Sequence, residues 1–147
     1  MIHNKLTLFI FIFTEGCDPK SYHTLTDDTR RSSHGRGRYC DRTDVPSYAT
    51  TSPDWKGAGW YKVGNNRTIA TQVVDTNHCN TWRPGYLASE SHHPEEEGKT
   101  IQAKICFNSY ASGSCYREMQ IQIKKCKGFY LYKLEEAPSC RLRICTT

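Results

Sequence analysis

The sequence predicts a small, mainly β domain that is rich in disulfides, with antiparallel strands and long ordered loops. Eight of the 147 residues are cysteines, an even number well above ordinary usage. Several segments alternate apolar and polar residues with the period of two that is typical of half-buried strands. A chain of this length is expected to form one domain. Since aliphatic residues are few, its core needs covalent support.

The predicted strands follow a loop-rich segment, residues 17–59, that is full of Gly, Pro, Ser and Asp. No amphipathic segment of helix length separates them, which favours antiparallel pairing. In the longest segments, alternate residues share one face, as Ile101 and Ile105 do in one and Ile121 and Ile123 in another. The strand segments, in order, are "WYKV" (60–63), "TIATQVV" (68–74), "KTIQAKICF" (99–107), "MQIQIKKC" (119–126) and "FYLYKL" (129–134).

The N-terminal residues have the layout of a secretory signal peptide. Lys5 precedes a short apolar run at residues 6–13, and small or polar residues follow up to Gly16. The run is too short to span a bilayer. The alternative is a buried strand. We therefore expect a signal peptide at residues 1–16, a domain at residues 17–147 and no direct insertion into a membrane.

Two chemical uses of the cysteines fit the spacing poorly. Structural zinc sites need ligands in close pairs, and no C-x2-C pair occurs. His92 and His93, followed by three glutamates, are better explained as a solvated turn around Pro94. A nucleophilic thiolate needs an adjacent base. His78 precedes Cys79, but neighbouring residues on a strand point to opposite sides.

Disulfides account for all eight cysteines at once. The even count, the thin core and the expected secretion are typical of a small extracellular domain held by bridges. Spacing alone leaves 105 pairings of eight cysteines open.

Several motifs resemble the eight-cysteine domain of uromodulin, zymogen-granule glycoprotein-2 and the oncoprotein-induced transcript protein. The motifs occur in order from Cys17 to the end of the chain, and together with the cysteine spacing they are fairly specific. They are "YHTLTDDTRRSS", "YCD", "GAGWYKV", "HCNTWRPGYL", "HPEEEG", "AKIC", "SGSC", "KKCKGFYLYKL" and "SCRLRIC".

This resemblance implies a particular set of bridges and a role without catalysis. Members of the family carry the domain as a structural or adhesive module beside other extracellular modules. The resemblance implies no cofactor, and it implies secretion and extracellular partners, either proteins or glycans. The bridges that it implies are Cys17–Cys126, Cys40–Cys140, Cys79–Cys145 and Cys106–Cys115.

Three further features bear on function. Asn66 begins an N-glycosylation sequon on a predicted turn. An arginine-rich loop is a possible polyanion-binding site, although nearby aspartates dilute its positive field. The abundant aromatic residues could form a sugar-stacking surface, but in a small domain they more often fill the core. The loop arginines are Arg30, Arg31, Arg36 and Arg38, and the aromatic residues are Trp55, Trp60, Trp82, Tyr61, Tyr86, Tyr130 and Tyr132.

The sequence thus predicts a secreted, non-catalytic interaction or structural module, with a carbohydrate- or polyanion-binding domain as the alternative. The net charge of +5 is mild and its basic residues are scattered among acidic ones. Since nucleic-acid binders usually have a denser basic face, no nucleic-acid partner is expected. The sequence makes no prediction of oligomeric state.

Overall fold

The computed structural model describes residues 15–110 and 113–147, so the predicted signal peptide lies almost wholly outside the described residues. Short 3-10 helices span Pro19–Ser21 and Asp28–Arg30. In this part of the chain, no helix has the length and apolar character needed to cross a membrane. The strands are β1 (His23–Leu25), β2 (Tyr39–Cys40), β3 (Thr50–Thr51), β4 (Gly59–Val63), β5 (Arg83–Leu87), β6 (Thr100–Ser109), β7 (Gly113–Cys126), β8 (Phe129–Leu134) and β9 (Leu142–Ile144).

Seven of these strands form one mixed sheet in the order β1-β4-β8-β7-β6-β5-β9. The five central strands pair in antiparallel fashion. At the two edges β1 runs parallel to β4 and β9 runs parallel to β5, and β2 and β3 form a separate parallel pair. The prediction of a mainly β domain is confirmed, and the predicted antiparallel pairing holds for the five central strands. The sheet as a whole is mixed, because long loops return the chain beside each edge in the same direction as the neighbouring strand.

The strands β6, β7 and β8 form a meander at the centre of the sheet. Ala103 of β6 lies opposite Ile121 of β7, and Ile105 lies opposite Met119. All four side chains are buried, so the alternation in the sequence identified the buried face correctly. A two-residue turn joins β7 to β8, and Gly128 adopts a φ of +84° there, which favours glycine.

Strand β5 was not predicted from the sequence. Its residues, "RPGYL", include a proline and a glycine, and both usually interrupt strands. In the structure the glycine has a packing role. Gly85 lies opposite Phe107 of β6, and a Cβ atom at Gly85 would lie 2.6 Å from Cε1 of the Phe107 ring. The glycine therefore permits the fully buried Phe107 ring to lie against the backbone of β5.

The predicted strand at residues 68–74 is wrong. Ile69 forms an isolated bridge with Thr146, and the amide of Ala70 donates to the carbonyl of Cys145 over 2.9 Å. Beyond Ala70 the next three residues are exposed. Alternation by itself cannot form a strand here because, among residues 15–110 and 113–147, no neighbouring strand pairs with Thr71, Gln72 and Val73.

The main core lies on one face of the large sheet and is closed by the N-terminal loops. Trp55, from a loop, stacks on Tyr61 of β4 with ring centroids 5.1 Å apart and planes within 4°. The other buried members are Leu25, Val63, Ile69, Leu87, Ala103, Ile105, Phe107, Met119, Ile121, Ile123, Tyr132, Leu134, Ala137, Leu142 and Ile144. Loop residues thus complete a core that the sheet alone would leave open.

Candidate functional site

Four disulfides hold the loops to the sheet, and they are the four pairs that the family resemblance implies. Their Cα–Cα distances lie between 4.8 and 5.9 Å, within the range that a disulfide spans. All eight cysteines lie in the described residues, and none is free. The pairs are Cys17–Cys126, Cys40–Cys140, Cys79–Cys145 and Cys106–Cys115.

The bridges divide into one short staple and three long-range links. Cys106–Cys115 closes the β6–β7 hairpin with a sequence separation of 9. The other three have separations of 109, 100 and 66, and each ties an earlier segment to the last part of the chain. Because Cys79 is bridged, its sulfur is not a thiolate nucleophile beside His78.

Arg30, predicted to belong to a polyanion-binding loop, is instead buried at 1% exposure. Its Nη2 atom lies 2.7 Å from Oδ1 of Asp41 and 2.6 Å from Oδ1 of Asp54. It also donates to the carbonyl of Ile144 over 2.9 Å. The prediction for Arg30 is wrong, because its donors are all directed into the protein and no external anion can reach them.

A second buried arginine extends this ion network. Arg143 of β9 lies 3.1 Å from Oδ2 of Asp27 and donates to Ser52 and to the carbonyl of Cys79. Burial and the nearby charge of Arg30 lower the pKa of Arg143 to about 10, so it stays charged at neutral pH. Arg30 and Arg143 therefore link four loops to the last strand through charge-assisted hydrogen bonds.

The aspartates of the network respond to these arginines. Burial alone would raise the pKa of Asp27, but hydrogen bonds from Thr29 and the charge of Arg143 hold it below its ordinary value. Burial opposes ionisation of Asp54 as well, and the hydrogen bonds and charge of Arg30 again lower its pKa. Both carboxylates are thus ionised partners in the folded state.

The other three loop arginines stand on the surface. Arg31, Arg36 and Arg38 are exposed. Arg38 donates to the carbonyls of Ser47 and Tyr48, which fixes the direction of its side chain. Arg36 and Arg38 line an open groove of about 390 Å³, whose other lining residues are Gly37, Asn77, Trp82 and Arg141. Arg31 is not among the residues that line it.

Beside this groove, arginine and aromatic side chains alternate in a stack that we call the arginine–aromatic ladder. Its order is Tyr48, Arg141, Trp82, Arg83, Tyr116 and Arg117. The guanidinium carbon of Arg141 lies 5.8 Å from the Tyr48 ring and 5.0 Å from the Trp82 ring. That of Arg83 lies 4.5 Å from Trp82 and 4.6 Å from Tyr116, and Arg117 is 5.3 Å from Tyr116. All five distances are short enough for cation–π attraction.

Sequence reasoning missed Arg83, Arg141 and Tyr116 as members of one surface. They come from β5, from the segment before β9 and from β7, so no local pattern unites them. One signal was available, because the implied bridge Cys40–Cys140 places Arg141 near the loop that carries Arg38. Without the sheet order, however, nothing placed β7 beside this loop.

The aromatic residues do not form one sugar-stacking surface. Trp55, Tyr61, Tyr86 and Tyr132 are buried, and Trp60 and Tyr130 are half-buried. Trp82 is 39% exposed. The preference of aromatic residues for the core therefore explains most of this set, and Trp82 remains as an aromatic residue available to a ligand.

Asn66 lies in the turn that follows β4. Its side chain is exposed and its φ is +55°, a backbone conformation that asparagine tolerates. The amide of Arg67 donates to the carbonyl of Gly64 and closes the turn. The sequon is therefore in an accessible position of the kind that glycosylated asparagines occupy.

The chain matches known proteins over most of its length. A family model for the uromodulin-like domain matches residues 61–146. Uromodulin of Rattus norvegicus is 32% identical over 128 residues, which is 85% of this chain and 17% of that protein. The pancreatic secretory granule membrane major glycoprotein GP2 is 27% identical over 135 residues in Rattus norvegicus and 26% identical over 132 residues in Homo sapiens. In both, the match covers 88% of this chain, and 23% and 22% of the relative respectively.

The chain therefore spans about a fifth of the length of the curated relatives that it matches. The family match includes the sheet from β4 to β9, where six of the eight bridged cysteines lie. The chain belongs to the uromodulin-like domain family.

Proposed function

We propose that this domain is a non-catalytic, secreted structural or interaction module of the extracellular space. The observation that carries the proposal is the set of bridges. All eight cysteines are paired, and three bridges join segments at least 66 residues apart. Such a framework is typical of proteins folded in an oxidising compartment. It holds loops rigidly enough to present a surface to extracellular proteins or glycans.

The proposal is tested by producing the chain in a secreting cell and labelling its thiols. We expect the native protein from the medium to resist alkylation, and all eight cysteines to react after reduction and unfolding. The mass of the same material also reports whether residues 1–16 have been removed. Titratable thiols in native secreted protein, or a fold that persists after mild reduction, would contradict the proposal.

A second candidate is binding of a carbohydrate or polyanion. It is favoured by Arg36 and Arg38, which are exposed together in a groove beside Trp82. Retention on a heparin column that decreases with salt would support it, because exposed ion pairs are screened by salt. A chain that elutes from heparin as early as from an uncharged resin would count against it.

A further inference from the structure

We propose that the arginine–aromatic ladder and the adjoining groove form one binding site for a sulfated glycan chain. This inference rests on the second candidate function and gives it a location and a ligand class. The site joins Arg36 and Arg38 of the groove to the three ladder arginines, of which Arg141 also lines the groove.

The site has an uncompensated positive charge. Within residues 15–110 and 113–147, no carboxylate lies within 4 Å of any of its five arginines, which are Arg36, Arg38, Arg83, Arg117 and Arg141. Glu118, the residue after Arg117, is paired with Lys104 at 3.1 Å. Five guanidinium groups thus share one surface without internal counter-ions, as a site for an anion requires.

The acidic residues 95–97 lie far from this surface. Lys125, near the end of β7, donates to the carbonyl of Glu95 over 2.7 Å. Arg117 is near the start of the same strand. At roughly 3.4 Å per residue along a strand, the eight steps between them span about 27 Å, well beyond the Debye length in physiological salt. The positive field of the ladder is therefore not neutralised by that acidic loop.

The stack also fixes the arginines in position. Arg83 lies between Trp82 and Tyr116, and Arg141 lies between Tyr48 and Trp82. The Nε atoms of Arg83 and Arg141 are buried and have no hydrogen-bond partner within the described chain. Since the rings cover the guanidinium faces, the N–H groups at their outer edges remain the available donors. Preordered planar donors of this kind recognise oxyanions with two parallel hydrogen bonds.

The chemistry of the site favours a sulfated glycan over other polyanions. Sulfate groups accept hydrogen bonds from guanidinium edges, while the C–H face of a sugar ring packs on an exposed aromatic ring. Trp82 is 39% exposed and Tyr48 is 53% exposed, and both adjoin arginines. The groove is also polar, with Asn77 in its wall. A peptide of Asp and Glu residues alone has no ring face for these aromatic residues.

The test is calorimetric titration of the secreted domain with a heparin octasaccharide at physiological salt. We expect R36A/R38A to bind about tenfold more weakly, because two exposed ion pairs are lost. The matched control K20A/K127A removes the same charge from exposed positions outside the site and should bind like the wild type. Equal loss in the two double variants would overturn the proposal, since it would indicate attraction by net charge alone.

A charge-neutral variant tests the aromatic part of the site. W82A removes the central ring of the ladder and should weaken binding about fivefold at constant net charge. Thermal unfolding checks that the variant is folded, and Y48A, at a more exposed ring, gives a second test if it is not. If W82A or Y48A is folded and binds heparin as tightly as the wild type, the proposal that the ladder is the binding site is wrong.

Ligand controls separate the glycan from other anions. A fully desulfated, N-acetylated heparin chain should not bind, and a polyglutamate peptide and single-stranded DNA should bind more weakly than the octasaccharide. Equal or tighter binding of either competitor would overturn the sulfated-glycan assignment. If R36A/R38A and W82A bind heparin as tightly as the wild type does, the site is wrong and polyanion binding stands. If the wild type does not bind, the second candidate fails with the site, while the proposal of a bridged extracellular module is unaffected.

Discussion

Nη2 of Arg30 lies 2.6 Å from Oδ1 of Asp54, in an interior where Arg30 is 1% exposed. A buried charge is tolerated only when it is paired and hydrogen-bonded. Here the pair joins the 3-10 helix Asp28–Arg30 to the loop before β4, and Asp41 adds a second carboxylate. The network fixes the arrangement of loops that sequence patterns described only as irregular.

Replacing Arg30 should lower the free energy of unfolding of the domain. R30A leaves Asp41 and Asp54 buried without their cation, and breaking a buried pair in this way typically costs about 3–5 kcal/mol. We expect a decrease of that size in the free energy of unfolding, measured by denaturant titration monitored by tryptophan fluorescence.

The neighbouring residue provides the control for this measurement. Arg31 is exposed, and an exposed substitution usually changes stability by no more than about 0.5 kcal/mol. If R31A destabilised the domain as much as R30A, the loss would reflect a change in charge or local helix structure and not the buried network.

The same network should make the domain sensitive to acid. In the folded state the pKa of Asp27 lies below its ordinary value of 3.8. As the pH falls below about 5, the unfolded state therefore binds more protons than the folded state does. The stabilisation is therefore complete above that pH and is lost as the pH falls through the folded pKa. We expect D27N to be less stable than the wild type at pH 7, with a smaller difference at pH 3. A difference that did not change with pH would contradict this linkage.

His93 should make the free energy of unfolding depend on pH in a second, higher range. Burial, followed by the charge of His92, lowers the pKa of His93 below 6.5, and its Nε2 atom lies 2.7 Å from the Tyr132 hydroxyl. As the pH falls past 6.5, His93 takes up a proton in the unfolded state before it does so in the folded state, so the free energy of unfolding decreases. We expect H93F to abolish the change in unfolding free energy between pH 7 and pH 5.5.

An exposed histidine serves as the control for H93F. His34 lies on the surface loop, and H34Q should leave the pH dependence of the wild type intact. If H34Q removed the pH dependence of stability and H93F did not, the half-buried His93–Tyr132 contact would not be its origin.

The four bridges should contribute unequally to stability. The loop closed by Cys40–Cys140 spans 100 residues and that of Cys106–Cys115 spans 9. In the chain-entropy description the longer loop contributes about 2 kcal/mol more. We expect C40A/C140A to have a lower midpoint of chemical unfolding than C106A/C115A under non-reducing conditions. The reverse order would indicate that the hairpin staple has a larger role than its loop length predicts.

Asn66 should carry an N-linked glycan when the chain is secreted from a eukaryotic cell. The side chain is exposed in the turn after β4, so the transferase has access to it. Treatment with an N-glycanase should lower the mass of the secreted protein. The T68A variant, which destroys the sequon, should show no mass change on the same treatment, and a change in T68A would place the glycan elsewhere.

Much of the central sheet could be predicted from local patterns. The alternation in residues 99–107 and 119–126 predicts which side chains of β6 and β7 face the core, because a strand has a period of two. The even number of cysteines likewise predicts an extracellular, bridged domain. The family motifs add the pairing, which spacing alone leaves open.

Strand β5, the edge strands β1 and β9, and the buried ions could not be predicted in this way. β5 contains a proline and a glycine, and Gly85 is compatible with the strand only because Phe107 packs against it from β6. From the sequence, Arg30 was predicted to belong to a basic surface loop. Its neighbours in the sequence do not indicate that it pairs with Asp54, which is 24 residues away.

The sequence by itself determined the mainly β class, the central meander and the disulfide-rich character of this domain, because these depend on local periodicity and composition. Only the tertiary structure decided which arginines are buried and which reach solvent. It separated Arg30, enclosed by Asp41 and Asp54, from Arg36 and Arg38, and it brought Arg83 and Arg141 together on one surface. The physical reason is that burial and charge pairing depend on contacts between segments far apart in the chain.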